Sequence, residues 1–239
     1  MFTASMIPFI VCVVLGVIAL CAFLSQRVKK CSAKATVLKS LVSAMFILAW
    51  SAACLAKGFS VFAFCIGGGL LFGLFGDIWL DLKFCYKEDE DFYTKMGFLM
   101  FAIGHFFYFG AVVSGVTQFK PVAILPALGV AVIAALVVFF GEKAMKLHYG
   151  DYKIISTLYG AVLFFMAAFA FFAALFAGLK ENTHLVVMAV GGALFIISDL
   201  ILSGTYFGEG KNRPVDVITN HVSYYAAQFV IAAAVLFLK

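Results

Sequence analysis

The chain predicts an all-α membrane fold: one polytopic helical bundle of eight transmembrane helices, forming a single domain over residues 1–239. Three observations lead there. The composition is 65% hydrophobic and only 12% charged, whereas a soluble chain carries about 25% charged residues. Eight apolar runs lie between charged residues, each close to the roughly 20 residues that a membrane-crossing helix needs. The basic residues also sort by side. With eight crossings, thirteen of the seventeen Lys and Arg fall in or beside the odd-numbered connections, and only Lys57, Lys120, Lys180 and Lys239 fall on the other side. The positive-inside rule then places the odd connections in the cytoplasm and both termini outside. One span more or fewer would scramble the split. The net charge of +5 is therefore a topology signal, and nucleic acid is not an expected partner.

Each span has its own justification. Span 1 (6–24) is uncharged and stops before Arg27; no basic residue precedes it and no small-x-small pattern closes it, so it reads as an anchor and not as a cleaved signal. Span 2 (37–56) opens on Lys39 and closes before Lys57. Span 3 (59–82) ends with Asp77 and, four residues on, Asp81. Span 4 (97–118) follows Glu88-Asp-Glu-Asp91, expected to be a solvated turn, and carries His105 and Tyr108. Span 5 (121–140) has no charge, and span 6 (154–177) lies between Lys153 and Lys180. Span 7 (183–203) closes on Asp199, and span 8 (217–238) carries Asn220, His221, Tyr224, Tyr225 and Gln228 in its first three turns. His148 and His184 stand at span ends and are expected to face water or headgroups. The six cysteines, Cys12, Cys21, Cys31, Cys54, Cys65 and Cys85, form no Cys-x-x-Cys pair, so neither a disulfide nor a zinc-thiolate centre is expected.

The most informative residues are Asp77 and Asp199. A charged side chain deep in a bilayer costs about 3 kcal/mol or more, so an intramembrane acid is a functional candidate by default. At about 1.5 Å per residue, both aspartates lie within a few turns of the cytoplasmic ends of their spans. His105, Tyr108, Asn220, His221, Tyr224, Tyr225, Gln228 and Lys39 fall at similar depth, so polar groups from five helices converge in the cytoplasmic half. That describes a ligand or catalytic pocket. Plainer roles exist: an intramembrane Asp can simply hydrogen-bond a neighbouring helix, a lone His is commonly a packed one, and Tyr224 and Tyr225 fit an interfacial belt. The glycines at 67–69 and 191–192 are close-packing positions. Asp81, nearer the interface, is expected to be the dispensable acid.

Aligning Asp77 on Asp199 also aligns Gly69 with Gly191 and Leu80 with Leu202, and the following spans both carry His-x-x-Tyr, at His105 to Tyr108 and His221 to Tyr224. Spans 1–4 and 5–8 then form a parallel four-plus-four repeat, an arrangement that puts sites at the repeat interface.

Several pieces, in order and on the right spans, carry a family resemblance. They are Lys39; Gly76-Asp77-Ile-Trp-Leu80; Gly97-x-x-x-Phe101-x-x-x-His105-x-x-Tyr108; Tyr159 with Met166; Gly192-Ala-Leu-Phe195-x-x-Ser198-Asp199; and Ser223-Tyr-Tyr-Ala-Ala-Gln228. Together they resemble the YhhN-type lysoplasmalogenase family. The resemblance implies eight spans, hydrolysis of the vinyl ether bond of lysoplasmalogen to a fatty aldehyde and a glycerophospho-ethanolamine or -choline, and Asp77 and Asp199 as the catalytic pair. Asp81 stands where the family is usually apolar, so no role carries over to it.

The residues suit that chemistry on their own terms. Vinyl ether cleavage needs a general acid, an anion to stabilise an oxocarbenium ion and a base to activate water. Two carboxyls in different protonation states supply all three. His105, Tyr108, Asn220 and Tyr224 are expected to orient them, and Lys39 to hold the lipid phosphate. No cofactor and no metal is expected; the partners are a lysophospholipid substrate and membrane lipid. Two rivals use the same residues. A proton- or cation-coupled transporter would use the aspartates as a relay, although no polar path continues through the other half of the membrane. A zinc-dependent lipid hydrolase would draw on His105, His221 and an Asp, although no ligand pair shares a helix face.

Overall fold

The computed structural model describes residues 4–29, 32–210 and 212–238. Cys31 and three lysines of the charge count, Lys30, Lys211 and Lys239, lie outside these. Among the described residues nine α-helices follow in order: α1 (Ile7–Arg27), α2 (Ala33–Lys57), α3 (Val61–Leu82), α4 (Glu90–Gly115), α5 (Ile124–Phe140), the short α6 (Glu142–Met145), α7 (Lys153–Ala177), α8 (Thr183–Phe207) and α9 (Pro214–Ala233). All but α6 are long and apolar enough to cross a membrane, which makes eight spans among the described residues.

Local chemistry sets the helix ends. Ser32 and Ser60 cap α2 and α3, their hydroxyls accepting the backbone N–H of Ala35 and Ala63; such caps satisfy a donor that the helix leaves open. Pro214 opens α9, where the Asp216 carboxylate accepts the Arg213 backbone N–H at 3.0 Å. Gly58 and Gly178 end α2 and α7 with φ of +90° and +100°, a region that disfavours other residues. Several helices run past the apolar stretch that marks them in sequence. α4 starts at Glu90, not near 97, so the acidic run is a 3₁₀ turn followed by the first turn of α4, where negative charge favours the helix dipole.

The helices alternate in direction, as contacts at the two ends show. At one end, called here the basic end, Arg27 closes α1 and pairs with Asp81 near the end of α3, the Tyr152 hydroxyl just before α7 donates to Asp91 in α4, and the His148 N–H donates to the Phe207 carbonyl at 2.7 Å. At the other end, Lys57 donates to the Leu238 carbonyl. Buried Asn182 there bonds Thr117 together with the carbonyls of Ala177 and Gly178.

Six helices close into a ring. α2 packs on α3, α3 on α4, α4 on α7, α7 on α8, α8 on α9, and α9 returns to α2. α1 packs outside on α2, and α5 outside on α7. The contacts of the first four spans therefore reappear, in the same order, among the last four. Small residues make the close approaches possible: Gly69, Gly73 and Gly76 give one face of α3 room for the Tyr108 ring, the Gln228 amide and the Phe101 ring. The interior is filled by Phe46, Phe62, Phe169, Phe195, Leu70 and Met166. The outside stays apolar, with Val17 and Ile18 of α1 and Ile133 and Phe140 of α5 all exposed, as a lipid-facing surface requires.

Candidate active site

Asp77, in the last turns of α3, is 2% exposed. Its Oδ2 accepts the Ser43 hydroxyl of α2 at 2.6 Å and the Tyr224 hydroxyl of α9 at 2.8 Å. Its Oδ1 lies 3.1 Å from Lys39 Nζ. Behind Tyr224 a chain of donors continues: Gln228 Nε2 gives to the Tyr224 oxygen at 3.0 Å, and the Tyr108 hydroxyl gives to Gln228 Oε1 at 2.8 Å. The acceptor end of this chain is the carboxylate, and every hydroxyl along it is fixed in direction.

Asp199, on α8, has different company. It is partly buried and accepts the Tyr159 hydroxyl of α7 at 2.5 Å. Among the described residues no cation lies within ion-pair distance of it. Next to it, Asn220 Nδ2 donates to the Ser198 carbonyl and hydroxyl at 2.8 and 3.0 Å, tying α9 to α8.

Both aspartates line one cavity of about 540 Å³, which opens among the loops of the basic end. Lys39, Tyr159, Ser198, Asn220, His221 and Tyr224 also line it. Tyr108, Tyr225 and Gln228 are buried behind this lining; the Tyr225 hydroxyl lies 3.2 Å from both the Ser43 hydroxyl and the Lys39 carbonyl. His105 was expected on the cavity wall and is not there. Its ring is packed among Tyr108, Tyr159 and Phe195, 1% exposed, with neither nitrogen hydrogen-bonded among the described residues. A helix turn deeper than the aspartates, it is screened from the opening by aromatic rings. His221 lines the cavity, held by a hydrogen bond between Nδ1 and the Val217 carbonyl and by the edge of Phe23. His184 is buried against the Gly115 carbonyl and Phe62 instead of facing water. No three His, Cys, Asp or Glu side chains of the described residues come together as metal ligands.

Two expectations change. Asp81 is not a peripheral acid: it is 2% exposed, like Asp77, and bonds both Arg27 and Lys39. Lys39 is not available to hold a phosphate, since its ammonium sits between Asp77 and Asp81 at 3.1 and 3.2 Å. Arg27, Lys39, Asp77 and Asp81 thus form a closed set of two positive and two negative charges. Arg27 was assigned only to topology, because a basic residue ending a span is so often interfacial; nothing in its local sequence shows that it turns inward.

Another cation lines the same cavity. Lys83 follows α3 and lines the cavity, 6% exposed. Its Nζ stands 3.5 Å from the centre of the Tyr206 ring and 3.8 Å from Glu90 Oε1, beyond hydrogen-bonding distance. Burial pushes the Lys83 ammonium down to about 8, with Glu90 opposing the shift.

A model of the YhhN family matches residues 36–235. The chain belongs to the YhhN family. No curated protein and no solved structure matches it. The YhhN match spans α2 to the last turn after α9 and takes in Lys39, Asp77, Asp199 and Tyr224. α1 lies outside the YhhN match, yet it supplies Arg27 and Phe23 to the site.

Proposed function

We propose that this YhhN protein is a membrane ether hydrolase that cleaves the vinyl ether bond of lysoplasmalogen, with Asp77 and Asp199 as its catalytic acids and bases. The observation that supports it is the unequal setting of two carboxyls on one cavity. Asp77 is neutralised by Lys39 and held by two hydroxyl donors, which is the setting of a carboxylate. Asp199 has a single hydroxyl and, among the described residues, no cation at ion-pair distance, which is the setting of a proton donor.

In this reading Asp199 gives its proton to the alkene carbon remote from the ether oxygen. The electron pair of that C–H bond comes from the double bond, and the carbon bearing oxygen becomes an oxocarbenium ion faced by the Asp77 carboxylate. Asp77 then removes a proton from water as the water oxygen bonds to that carbon. The hemiacetal collapses: its hydroxyl proton returns to Asp199, the Asp77 proton goes to the departing glycerol oxygen, and aldehyde and alcohol leave. Both acids regain their starting states and one water is consumed. In this reading Lys83, which lines the cavity and is less closely paired than Lys39, meets the lipid phosphate.

The decisive experiment is incubation of purified protein in lipid nanodiscs with lysoplasmalogen, with the fatty aldehyde followed by mass spectrometry. Asp77→Asn and Asp199→Asn should each lower turnover at least about 100-fold while leaving folded protein in the membrane. Near-normal turnover by either variant removes the two-acid mechanism, and no aldehyde from the wild type removes the activity.

A further inference from the structure

A second cavity, of about 570 Å³, lies between α5, α7 and α8. It exists because α5 packs on α7 but not on α8, leaving a slot between the two. Val130 and Val137 of α5, Leu163 and Phe164 of α7, and Ile196 of α8 line it, with Ser156 and Ser203 among few polar side chains, so its walls are mainly apolar. At the basic end it is closed by the Leu147–Gly208 bridge and the His148 to Phe207 hydrogen bond. Ile133 and Leu200, 63% and 56% exposed, stand on its rim, so it opens sideways on the apolar outer face of the bundle. Most important is where the slot meets the first cavity. The two share Phe98, Tyr159, Asp199, Leu202, Tyr206 and Phe207 as a common wall. Asp199 and its hydroxyl donor therefore stand at the junction of a cation-lined chamber and a mainly apolar one.

We propose that the slot is the site of the hydrocarbon chain of a single-chain lysolipid. Its headgroup lies in the cation-lined cavity, the bond between head and chain lies beside Asp199, and the chain passes out between α5 and α8 toward the bilayer. The inference rests on the proposed function for the identity of the head, and on the two-chamber geometry for the chain. One slot takes one chain, so a diacyl lipid has no place for its second chain. In a bilayer the chain gains little free energy by leaving lipid for an apolar slot; the slot serves to position the chain.

The test is photolabelling in nanodiscs with a saturated lysophosphatidylethanolamine that carries a diazirine in mid-chain. This probe has no vinyl ether and is not turned over. Adducts are expected on the buried slot wall, at Leu163 and Ile196, competed by unlabelled lysolipid and at least fivefold weaker with a diacyl probe. Gly160→Leu should reduce them at least fivefold. A Cβ at Gly160 meets only Val138 Cγ2, at 3.6 Å, so the branched remainder must grow into the slot. Val137→Trp, at a position 51% exposed, narrows the mouth without touching the core and should do the same, which keeps the test intact if Gly160→Leu unfolds. Adducts confined to outward positions such as Ile18 and Leu125, or equal labelling by lysolipid and diacyl probe, would overturn the proposal. Slot labelling by a protein that releases no aldehyde from lysoplasmalogen would leave the slot standing and remove the proposed hydrolysis.

Discussion

Lys83 is the residue at which pH should be felt. It faces Glu90 of α4, Asp81 of α3, Lys39 of α2 and Arg27 of α1, with the Tyr206 ring of α8 against its ammonium. Since burial brings it to about 8, it is charged below that pH and loses its charge as pH rises through it. Binding of a phosphate-bearing lysolipid should therefore weaken above about pH 8 by up to tenfold, and Lys83→Met should weaken it at lower pH and flatten the dependence. Titration calorimetry across pH 6.5–9.5 checks both. The charge quartet makes a second prediction at this scale. Removing one partner of a buried pair commonly costs about 3–5 kcal/mol, so Arg27→Met should destabilise by an amount in that range, read by denaturant unfolding. Arg27→Met with Asp81→Leu should recover much of the loss, because Lys39 then keeps Asp77 alone. Asp81 and Arg27 also show why residue-level roles were only partly legible. Depth along a helix follows from counting residues, and Asp77, Asp199 and Tyr224, expected at similar depth, line one cavity. Burial depends on what the neighbouring helix brings, and α1 is tied to α3 by a contact 54 residues apart in sequence.

At the scale of helices, the face of α3 is set by its glycines. A Cβ at Gly73 would come within 2.6 Å of Gln228 Nε2, and that amide positions Tyr224 on Asp77. Gly73→Ala should therefore lower turnover by roughly ten- to a hundredfold, as misplacement of a catalytic group by a fraction of an ångström to an ångström does. Its effect on melting temperature should be small, because the amide lies at the end of a flexible side chain. Turnover unchanged beside a shifted melting temperature would show that the chain of donors does not matter. Helix existence was legible because eight apolar runs leave no other reading; helix ends were not. α4 begins seven residues before the apolar run, and α8 ends at Phe207 instead of 203, because amphipathic turns continue a helix past the hydrocarbon where hydropathy no longer marks it. The splay of α5 from α8 has no sequence signal at all: α5 is apolar all round, and nothing in its composition says which neighbour it lacks.

For the whole molecule, the contacts at the two ends show helices that alternate in direction, and the bias of the lysines proposes an orientation. Reporter fusions in the connections after α1, α3, α5 and α8 should read cytoplasmic, and those after α2, α4 and α7 external; two contrary reporters would reverse or break the proposed orientation.

The ring has a historical consequence. Its two halves meet their neighbours in matching order, and each half contributes one of the two proposed catalytic carboxyls to the shared cavity. A dimer of two identical four-helix chains would present two equivalent acids, each in the same surroundings, and neither would be favoured as proton donor. Joining the halves into one chain lets them diverge. One can acquire a lysine beside its aspartate while the other keeps only a tyrosine. In the proposed reaction, a single chain with two unlike halves fixes the roles in advance: Asp77 stands beside Lys39, the setting of a carboxylate, and Asp199 beside Tyr159, the setting of a proton donor.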